Sequence, residues 1–483
     1  MADLVIRKKN EVFLRVECDP HIKHELQDQF TFDVPGAKFM PQYRNKYWDG
    51  KIRLFNMDRG EIYCGLIDKL QVFCERYSYT FEFEENKHYG LPYEENDSFS
   101  EEGVRDYLTT ISKYKPRDYQ VEGVTDALRR NRRLLISPTA SGKSLMIYSI
   151  CRYHVEKGRK VLLIVPTTSL VEQMYKDFED YGWDAEKYCY KIYGGAPRNT
   201  DQSVIISTWQ SIYKLDRKWF GNFEVVIGDE AHQFKSKSLV NIMTKMADTK
   251  YRYGFTGTLD GTQTHKWVLE GLFGPSYKII STKKLQDAGY LAKLSIKVLI
   301  MKHDPQKFDT YEDEVQYIIN SEKRNKFIKN LAHDLKGNTL ILYSRVATHG
   351  QVLFDLINIG NRKVFFVHGG VDAQEREEVR RITETEKDAI IVASFGTFST
   401  GINIKNLHNI IFASPSKSRI RTLQSIGRVL RKGNNKVSAT LFDIADDTKK
   451  GSRNNYTLNH LIERIKYYNE EKFNYEILQI KIG

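Results

Sequence analysis

Short apolar runs alternate with amphipathic segments from about residue 105 onward. The runs RRLLISP, KVLLIVP, SVIISTW and EVVIGDE are short and apolar, and helix-like stretches such as SLMIYSICRYHVEKG and SLVEQMYKDFEDYG lie between them. Buried β-branched runs joined by amphipathic helices predict βαβ units and a parallel sheet. The same alternating pattern begins again after about residue 295, with the apolar runs NTLILYSR, KVFFVHG, AIIVASFGT and NIIFASP. It predicts a second unit of similar size.

The segments on either side of these two units have different patterns. Residues 1–95 form an aromatic-rich block that ends in the acidic, turn-prone stretch FEFEENKHYGLPYEENDSFSEEG, which indicates a linker or domain edge. The last segment, LNHLIERIKYYNEEKFNYEILQ, predicts a closing helix. We therefore expect an α/β fold with a small N-terminal α/β domain (1–95), two tandem parallel-sheet lobes (96–290 and 291–450) and a C-terminal helical segment (451–483).

Composition narrows the class of protein. A chain of 483 residues is too long for one hydrophobic core, and its net charge of +12 favours a polyanionic partner. The five cysteines are odd in number and form no CxxC pair, so we expect reduced thiols and neither a disulfide framework nor a zinc site. Without an apolar run near 18 residues or a signal-peptide core, the expected location is cytoplasmic, with no membrane partner.

The first chemical motif is a phosphate-binding loop. RRLLISPTASGKSLMIYSI has the order strand, loop, helix, and glycine lets backbone N–H groups curl around phosphate oxygens at the start of a helix. Lys143 is expected to reach the β- and γ-phosphates of ATP, and the Ser144 hydroxyl to ligate Mg²⁺. Ser137 replaces the usual first glycine, so a helix-capping loop with Ser141 or Ser144 as N-cap is the alternative. The candidate nucleotide-contacting residues are Ser137, Pro138, Thr139, Ala140, Ser141, Gly142, Lys143 and Ser144.

An acidic box follows the loop. EVVIGDEAHQF places Asp229 and Glu230 at the end of an apolar strand, where Asp229 would hold Mg²⁺ and Glu230 would polarise the attacking water. A solvated strand end is the alternative, since acidic residues are common there. With a phosphate loop upstream, the pair predicts ATP hydrolysis.

With these two motifs the chain resembles superfamily 2 DExH helicases over about residues 105–450. The resemblance implies two RecA-like lobes, ATP and Mg²⁺ as cofactors, and ATP hydrolysis coupled to nucleic-acid unwinding, with His232 completing the catalytic box. Gln120 matches the residue that pairs with adenine, supported by Arg117. Thr256 and Thr258 match the motif that couples hydrolysis to lobe movement.

Further motifs supply candidate contacts to nucleic acid and to the transition state. The candidates that the resemblance places on the nucleic acid are Pro166, Thr167, Thr208, Ser344, Arg345 and Thr397. Gly401 and Asn403 would lie near the ribose, and Asn403 stands where many relatives carry Asp. Gln424, Arg428 and Arg431 in QSIGRVLR are expected on one face of a helix, where arginine suits transition-state phosphate. A basic surface helix is the alternative. Because these arginines belong to the second lobe, ATP is expected between the lobes and hydrolysis requires closure.

The N-terminal block has its own signature. Residues 36–55 contain five basic residues, one acidic residue and five aromatics, a mixture that suits phosphates and exposed bases. A small domain with an aromatic core is the alternative, and we expect both: rings mostly in the core, with Arg44, Lys46, Lys51 and Arg53 on the surface.

This block and the C-terminal IKYY and EKFNY segments resemble phage recombination and repair DNA helicases. The resemblance implies a phage-infected bacterial cell and unwinding or branch migration of Holliday junctions, forks and R-loops. The implied partners are branched DNA, single-stranded DNA, RNA–DNA hybrids, and single-stranded-DNA-binding or recombination proteins.

Three other functions stay open at this point. One is a double-strand DNA translocase subunit of a restriction or remodelling complex, although the chain has no nuclease motif. Another is an RNA helicase, because the DExH class contains many. The third is an ATP-gated nucleic-acid clamp with little turnover, against which Glu230, Arg428 and Arg431 argue.

Overall fold

The structure is a computed structural model that describes residues 2–84, 87, 89, 99–401, 404–432 and 436–482. The chain divides into two compact units. Unit 1 contains the residues up to Ser137 together with Gly142–Ile279, and unit 2 contains Pro138–Ser141 and Ile280–Gly483. No helix of the described residues is long and apolar enough to span a bilayer.

Unit 1 begins with the small N-terminal α/β domain. Its sheet has the order β5-β6-β2-β1-β7, antiparallel except for the parallel pair β1–β7, and β3 and β4 form a separate antiparallel pair. The elements are β1 Leu4–Lys8, β2 Phe13–Cys18, α1 Pro20–Gln29, β3 Thr31–Asp33, α2 Pro41–Arg44, β4 Lys51–Arg53, β5 Phe55–Asn56, β6 Glu61–Tyr63, α3 Ile67–Tyr77 and β7 Phe81–Phe83.

The N-terminal domain shares a hydrophobic core with the first lobe. Phe30 and Phe32 pack against Trp267, with ring centroids 5.4 and 5.0 Å apart. A Cβ at Gly65 would stand 2.0 Å from the carbonyl oxygen of Glu270, so only glycine permits this close approach. The domain is therefore built onto the lobe as part of one packed unit.

The first lobe is a seven-stranded parallel sheet of order β10-β11-β9-β12-β13-β8-β14, as the alternating pattern predicted. Its central strands are buried because helices cover both faces. The elements are α4 Glu101–Ile111, α5 Asp118–Arg130, β8 Arg132–Ile136, α6 Lys143–Glu156, β9 Val161–Val165, α7 Thr168–Tyr181, α8 Ala185–Tyr188, β10 Cys189–Ile192, β11 Val204–Thr208, α9 Trp209–Ile212, α10 Arg217–Phe220, β12 Val225–Gly228, α11 Lys237–Lys245, β13 Tyr251–Thr256, α12 Gln263–Phe273 and β14 Ser276–Lys278.

The second lobe is another seven-stranded parallel sheet, of order β17-β18-β16-β19-β20-β15-β21. The elements are α13 Thr282–Asp287, β15 Lys293–Lys302, α14 Tyr311–Ile319, α15 Glu322–Asp334, β16 Thr339–Tyr343, α16 Gln351–Ile357, β17 Val364–Val367, α17 Ala373–Thr385, β18 Ile390–Ser394, α18 Phe395–Gly401, β19 Asn409–Phe412, α19 Arg419–Val429, β20 Ser438–Asp447, α20 Tyr456–Glu470 and β21 Tyr475–Lys481.

The structure corrects the expected C-terminal segment. The closing helix α20 ends at Glu470, and the chain then forms β21, which pairs with β15 from Tyr475 opposite Ile296 to Lys481 opposite Lys302. Most β21 side chains are exposed, so burial gives the strand no clear sequence pattern. Backbone pairing along the otherwise open edge of β15 decides its conformation.

The structure shows what lies at the two ends of the acidic stretch and how the cysteines are placed. Strand β7 and helix α4 occupy the two ends of the acidic stretch, and most residues between them lie outside the described residues. All five cysteines are free, and all but Cys18 are buried.

Candidate ATP site and nucleic-acid surfaces

The phosphate-loop helix α6 begins at Lys143 with Gly142 as its N-cap. Gly142 has a φ of +81°, and a Cβ there would stand 2.3 Å from Gln120 Nε2. Both the backbone conformation and the close approach of Gln120 therefore require glycine. No side chain caps α6, which excludes Ser141 or Ser144 as the N-cap.

The loop is tied to the neighbouring strand. Lys143 Nζ donates to the carbonyl oxygen of Ser137 at 3.2 Å, and the Ser137 N–H donates to the Thr256 carbonyl oxygen at 2.9 Å. Ser137, at the position of the missing glycine, is fully buried. Pro138, Thr139 and Ala140 complete the turn, in which Ala140 has a φ of +67°.

The adenine-reading candidates lie at the start of α5. The Arg117 N–H donates to Gln120 Oε1 at 2.9 Å, and the Arg117 guanidinium donates to the Tyr119 hydroxyl at 2.8 Å. Gln120 is buried against the phosphate loop. The structure thus brings the two candidates to the loop, and their contact with adenine stays a prediction.

Asp229 stands directly after β12 and is buried. Burial and the neighbouring Glu230 carboxylate raise the pKa of Asp229 to about 7, while Lys143 opposes this shift. Within the described part of the chain, Asp229 Oδ1 has no hydrogen-bond partner. A buried carboxylate oxygen without a partner is a suitable ligand for a hard divalent cation such as Mg²⁺.

The Ser144 hydroxyl has a partner that the sequence did not indicate. It forms a 2.6 Å hydrogen bond with the hydroxyl of Tyr181, the last residue of α7. Tyr181 is 37 positions away along the chain. No local motif marks it, because its role depends on how α7 packs beside α6.

The acidic box joins the coupling motif through histidine. Glu230, in the left-handed region with a φ of +49°, has its carboxylate 3.3 Å from His232 Nδ1. His232 Nδ1 lies 3.0 Å from Thr256 Oγ1, and the Thr256 hydroxyl donates to the Thr258 carbonyl oxygen at 3.1 Å. The structure therefore links two motifs that the sequence presented separately.

The three expected nucleic-acid contacts of the first lobe lie at one edge of its sheet. Pro166 and Thr167 follow β9, and Thr208 ends the adjacent strand β11 opposite Val165. The Thr167 hydroxyl caps α7 by accepting the Leu170 N–H at 3.4 Å. Thr208 is buried, with its hydroxyl 2.9 Å from that of Ser211. Their contact with nucleic acid stays a prediction.

The corresponding residues of the second lobe lie at the carboxyl ends of β16 and β18. Ser344 is exposed, whereas Arg345 Nη2 donates to Glu312 Oε2 at 2.5 Å. Thr397 is buried and hydrogen-bonded to Ser394 at 2.8 Å. Gly401 is the last residue of α18, and Asn403 lies outside the described residues.

The expectation that Gln424, Arg428 and Arg431 share one helix is wrong in part. Gln424 and Arg428 lie on α19, but the helix ends at Val429, two residues before Arg431. The sequence Gly-Asn-Asn follows soon after, and glycine and asparagine favour helix ends. The Arg428 guanidinium lies 5.8 Å from the centroid of the Phe398 ring. The part of the three residues in hydrolysis stays a prediction.

The expected core position of the rings in residues 36–55 is also wrong. Phe39, Tyr43 and Tyr47 are 66, 41 and 85% exposed, and only Phe55 of the five rings is buried. The core is filled by residues of β1, β2, α1 and α3, which leaves the short α2 region at the surface. Arg44, Lys46, Lys51 and Arg53 are exposed, as expected. We name Phe39, Tyr43 and Tyr47 with these four basic residues the ring–cation surface.

Comparisons with known proteins match the whole chain. Family profiles match for "DNA helicase UvsW, N-terminal" at residues 3–84, "Type III restriction enzyme, res subunit" at 113–261 and "Helicase conserved C-terminal domain" at 322–433. The ATP-dependent DNA helicase uvsW of Enterobacteria phage T4 is 34% identical, over 97% of this chain and 98% of that protein. The chain belongs to the UvsW family of superfamily 2 helicases. It is thus an ATP-dependent helicase, as its motifs predicted.

Solved structures agree with the UvsW family assignment. The crystal structure of T4 UvsW covers all of both chains with a TM-score of 0.53 and 32% identity. A fragment of a putative HsdR subunit of a type I restriction enzyme from Vibrio vulnificus covers 78% of this chain and 71% of that one, with a TM-score of 0.59 and 17% identity. The second likeness shows the fold alone, two RecA-like lobes.

Proposed function

We propose that this helicase unwinds or branch-migrates branched DNA: Holliday junctions, forks and R-loops. The observation that carries the proposal is the ring–cation surface of the N-terminal domain, which shares a hydrophobic core with the lobe that carries Lys143 and Asp229. The T4 relative, whose name describes a DNA helicase, covers both parts and supports DNA as the substrate. Single-stranded DNA, RNA–DNA hybrids, and recombination or single-strand-binding proteins are the further partners proposed.

Within the first lobe, each proposed catalytic residue has a distinct task. Lys143 binds the β- and γ-phosphates, Glu230 polarises the attacking water, and Asp229 with Ser144 holds Mg²⁺. The metal, when bound, supplies positive charge that offsets the charge on the phosphates. His232 and Thr256 connect Glu230 to Thr258 and so pass the state of the nucleotide to the coupling motif.

A branch point presents unpaired bases and duplex phosphates side by side. Exposed rings stack on unpaired bases, and lysine and arginine neutralise phosphates. The ring–cation surface offers both within residues 39–53. Lys46 and Tyr47 lie just after the short helix α2, and both side chains are exposed to solvent.

The substrate experiment compares ATP turnover with single-stranded, duplex, forked and four-way DNA and with single-stranded RNA. We expect forked and four-way DNA to stimulate turnover and to be unwound. Stimulation by RNA alone would favour the RNA-helicase alternative. Equal stimulation by plain duplex would favour a translocase, and binding without turnover would favour an ATP-gated clamp.

Removing the charges of the ring–cation surface should weaken the binding of branched DNA. In the quadruple variant Arg44→Ala/Lys46→Ala/Lys51→Ala/Arg53→Ala, affinity for forks and four-way junctions should fall several-fold, while affinity for a plain single strand changes little. Each exposed phosphate contact contributes about 0.2–1 kcal/mol, so the four are changed together. Fluorescence anisotropy with matched linear and branched DNA measures the effect.

A control for this test is Arg59→Ala/Arg76→Ala, which removes two exposed arginines elsewhere in the same domain. It should bind both kinds of DNA as the wild type does. If the quadruple variant loses the same amount of affinity for linear and for branched DNA, the surface binds DNA in general and does not recognise branch points. If the folded variant loses affinity for neither kind of DNA, the surface faces solvent and does not bind DNA.

Removing the rings should have a different signature. Phe39→Ala/Tyr47→Ala should weaken binding to a fork with unpaired arms, because stacking of a base on an aromatic ring contributes about 1–3 kcal/mol. Affinity for fully paired duplex should not change. Anisotropy with forks that differ only in the length of their unpaired arms measures this. Loss of equal size on duplex would contradict base stacking.

A further inference from the structure

A basic cavity lies at one edge of the second lobe's sheet. Strands β15 and β20 are parallel neighbours, so the loops that follow them leave the same edge. Two backbone hydrogen bonds join these loops, from His303 N–H to the Asp447 carbonyl oxygen at 3.0 Å and from Gln306 N–H to that of Thr448 at 2.9 Å. Between the loops and the start of α20 is a cavity of about 130 Å³.

Four cations line this cavity: Lys307, Lys449, Lys450 and Arg453. All four are exposed, and in the described part of the chain none of them forms an ion pair. The carboxylates that end β20 are already paired. Asp446 binds Arg324 at 2.7 Å, and Asp447 binds Lys302 at 2.7 Å. Each of these carboxylates therefore has a cation partner outside the cavity lining, and Asp447 also accepts the Lys449 N–H at 3.0 Å.

The one carboxylate in the cavity lining, Glu314, forms its hydrogen bonds with neighbouring groups of the protein. It is buried and accepts hydrogen bonds from the N–H groups of Tyr456 and Thr457, both at 2.8 Å. It also accepts from Asn455 Nδ2 at 2.7 Å. Glu314 thus occupies the N-terminus of α20 and fixes the end of the loop that carries the lysines. A loop held in this way loses little entropy when it binds a ligand.

The cavity lies at the same edge of the sheet as the predicted nucleic-acid contacts of this lobe. Arg345, which follows β16, is bonded to Glu312 on α14. The next residue toward the cavity, Tyr311, packs against His460 and Tyr456 of α20, with centroids 5.0 and 6.4 Å away. Because β16, β19, β20 and β15 are parallel neighbours, these groups share one edge of the sheet.

We propose that this cavity binds the phosphate backbone of the nucleic-acid strand that passes Ser344 and Arg345. Its volume suits one phosphodiester group, since sites for whole small-molecule ligands usually measure about 300–1,000 Å³. Lysine and arginine side chains bind phosphates, and the four cations of this cavity form no ion pair within the described residues. The assignment rests on the proposed action on nucleic acid, and it adds a contact that lies beyond the helicase motifs.

The first test removes the charges from the full-length chain. Lys449→Ala/Lys450→Ala/Arg453→Ala is compared with Lys293→Ala/Lys336→Ala/Lys387→Ala, which removes three exposed lysines at the opposite, amino-terminal edge of the same sheet. Affinity for single-stranded DNA is measured by anisotropy across a salt series. For the cavity variant we expect affinity to fall about ten-fold and the log–log salt slope to flatten by about 0.7 per lost phosphate contact. The control should match the wild type in both.

The second test identifies the phosphate itself. A strand with a single neutral methylphosphonate linkage is scanned position by position against the wild type and the cavity variant. One or two linkages should weaken binding of the wild type and have no effect on the variant, because removal of either partner abolishes the same contact. Thermal unfolding checks that both variants are folded.

The outcomes separate this assignment from the proposed function. Equal affinity and salt slope for the cavity and control variants would overturn the phosphate site, as would identical methylphosphonate profiles for wild type and cavity variant. Such a result would leave the cavity to an acidic protein segment or to solvent. If the wild type shows no preference for branched DNA while the profiles still differ, the branched-DNA proposal fails and the phosphate site stands.

Discussion

Lys143→Ala should abolish ATP turnover while binding to nucleic acid survives. The side chain reaches into the phosphate loop, where its Nζ lies 3.2 Å from the Ser137 carbonyl oxygen. Removing one preorganised charge from a phosphoryl-transfer site costs about 10²–10³-fold or more in turnover. The proposed nucleic-acid surfaces lie on other elements, so anisotropy with DNA should show near-normal affinity.

Lys157→Ala is the matched control for this prediction. Lys157 is the exposed lysine at the opposite end of α6, so the change removes the same charge from the same helix. Steady-state phosphate release should be normal in this control. Wild-type turnover in Lys143→Ala would show that another group binds the phosphates and would remove the basis of the whole ATP site.

Glu230→Gln should lose ATP turnover by about 10²–10⁴-fold, the usual contribution of a general base, while the affinity for ATP is retained. Glutamine has nearly the same shape as glutamate and can still form a hydrogen bond near His232. Only the negative charge that polarises water is lost. Single-turnover hydrolysis measures the chemical step, and titration with a fluorescent ATP analogue measures binding.

Glu224→Gln provides the control at the other end of the same strand. Glu224 precedes β12 and accepts the Lys160 N–H at 2.9 Å, away from the acidic box. Its ATP turnover should equal that of the wild type. If Glu230→Gln instead binds ATP weakly but retains near-normal kcat, Glu230 is a ground-state contact.

The central strands could be predicted because their burial is visible in their composition. β12, β16 and β18 are buried at every position, and they read as continuous apolar runs. The edge strands β14 and β21 carry mixed, partly exposed side chains and give no such signal. Their conformation depends on pairing with β8 and β15, which are more than a hundred residues away in the chain.

The burial of the aromatic rings in the N-terminal domain also could not be predicted from the sequence. Aromatic side chains are often buried, so a core position was the reasonable expectation for Phe39 and Tyr47. Whether a ring is buried depends on whether the core has room for it. Here Phe30 and Phe55 are buried in the core, whereas Phe39 and Tyr47 are exposed.

By itself, the sequence determined the two parallel-sheet lobes, the position of Lys143 at the start of a helix after a buried strand and that of Asp229 at the end of another, because each depends on residues that are close together in the chain. Only the tertiary structure decided which groups meet across the fold. Examples are the Ser144–Tyr181 and His232–Thr256 hydrogen bonds, the Arg345–Glu312 ion pair and the cavity between the loops after β15 and β20. Contacts of this kind depend on how strands pair and helices pack, and a local pattern carries no information about a partner that is distant in the chain.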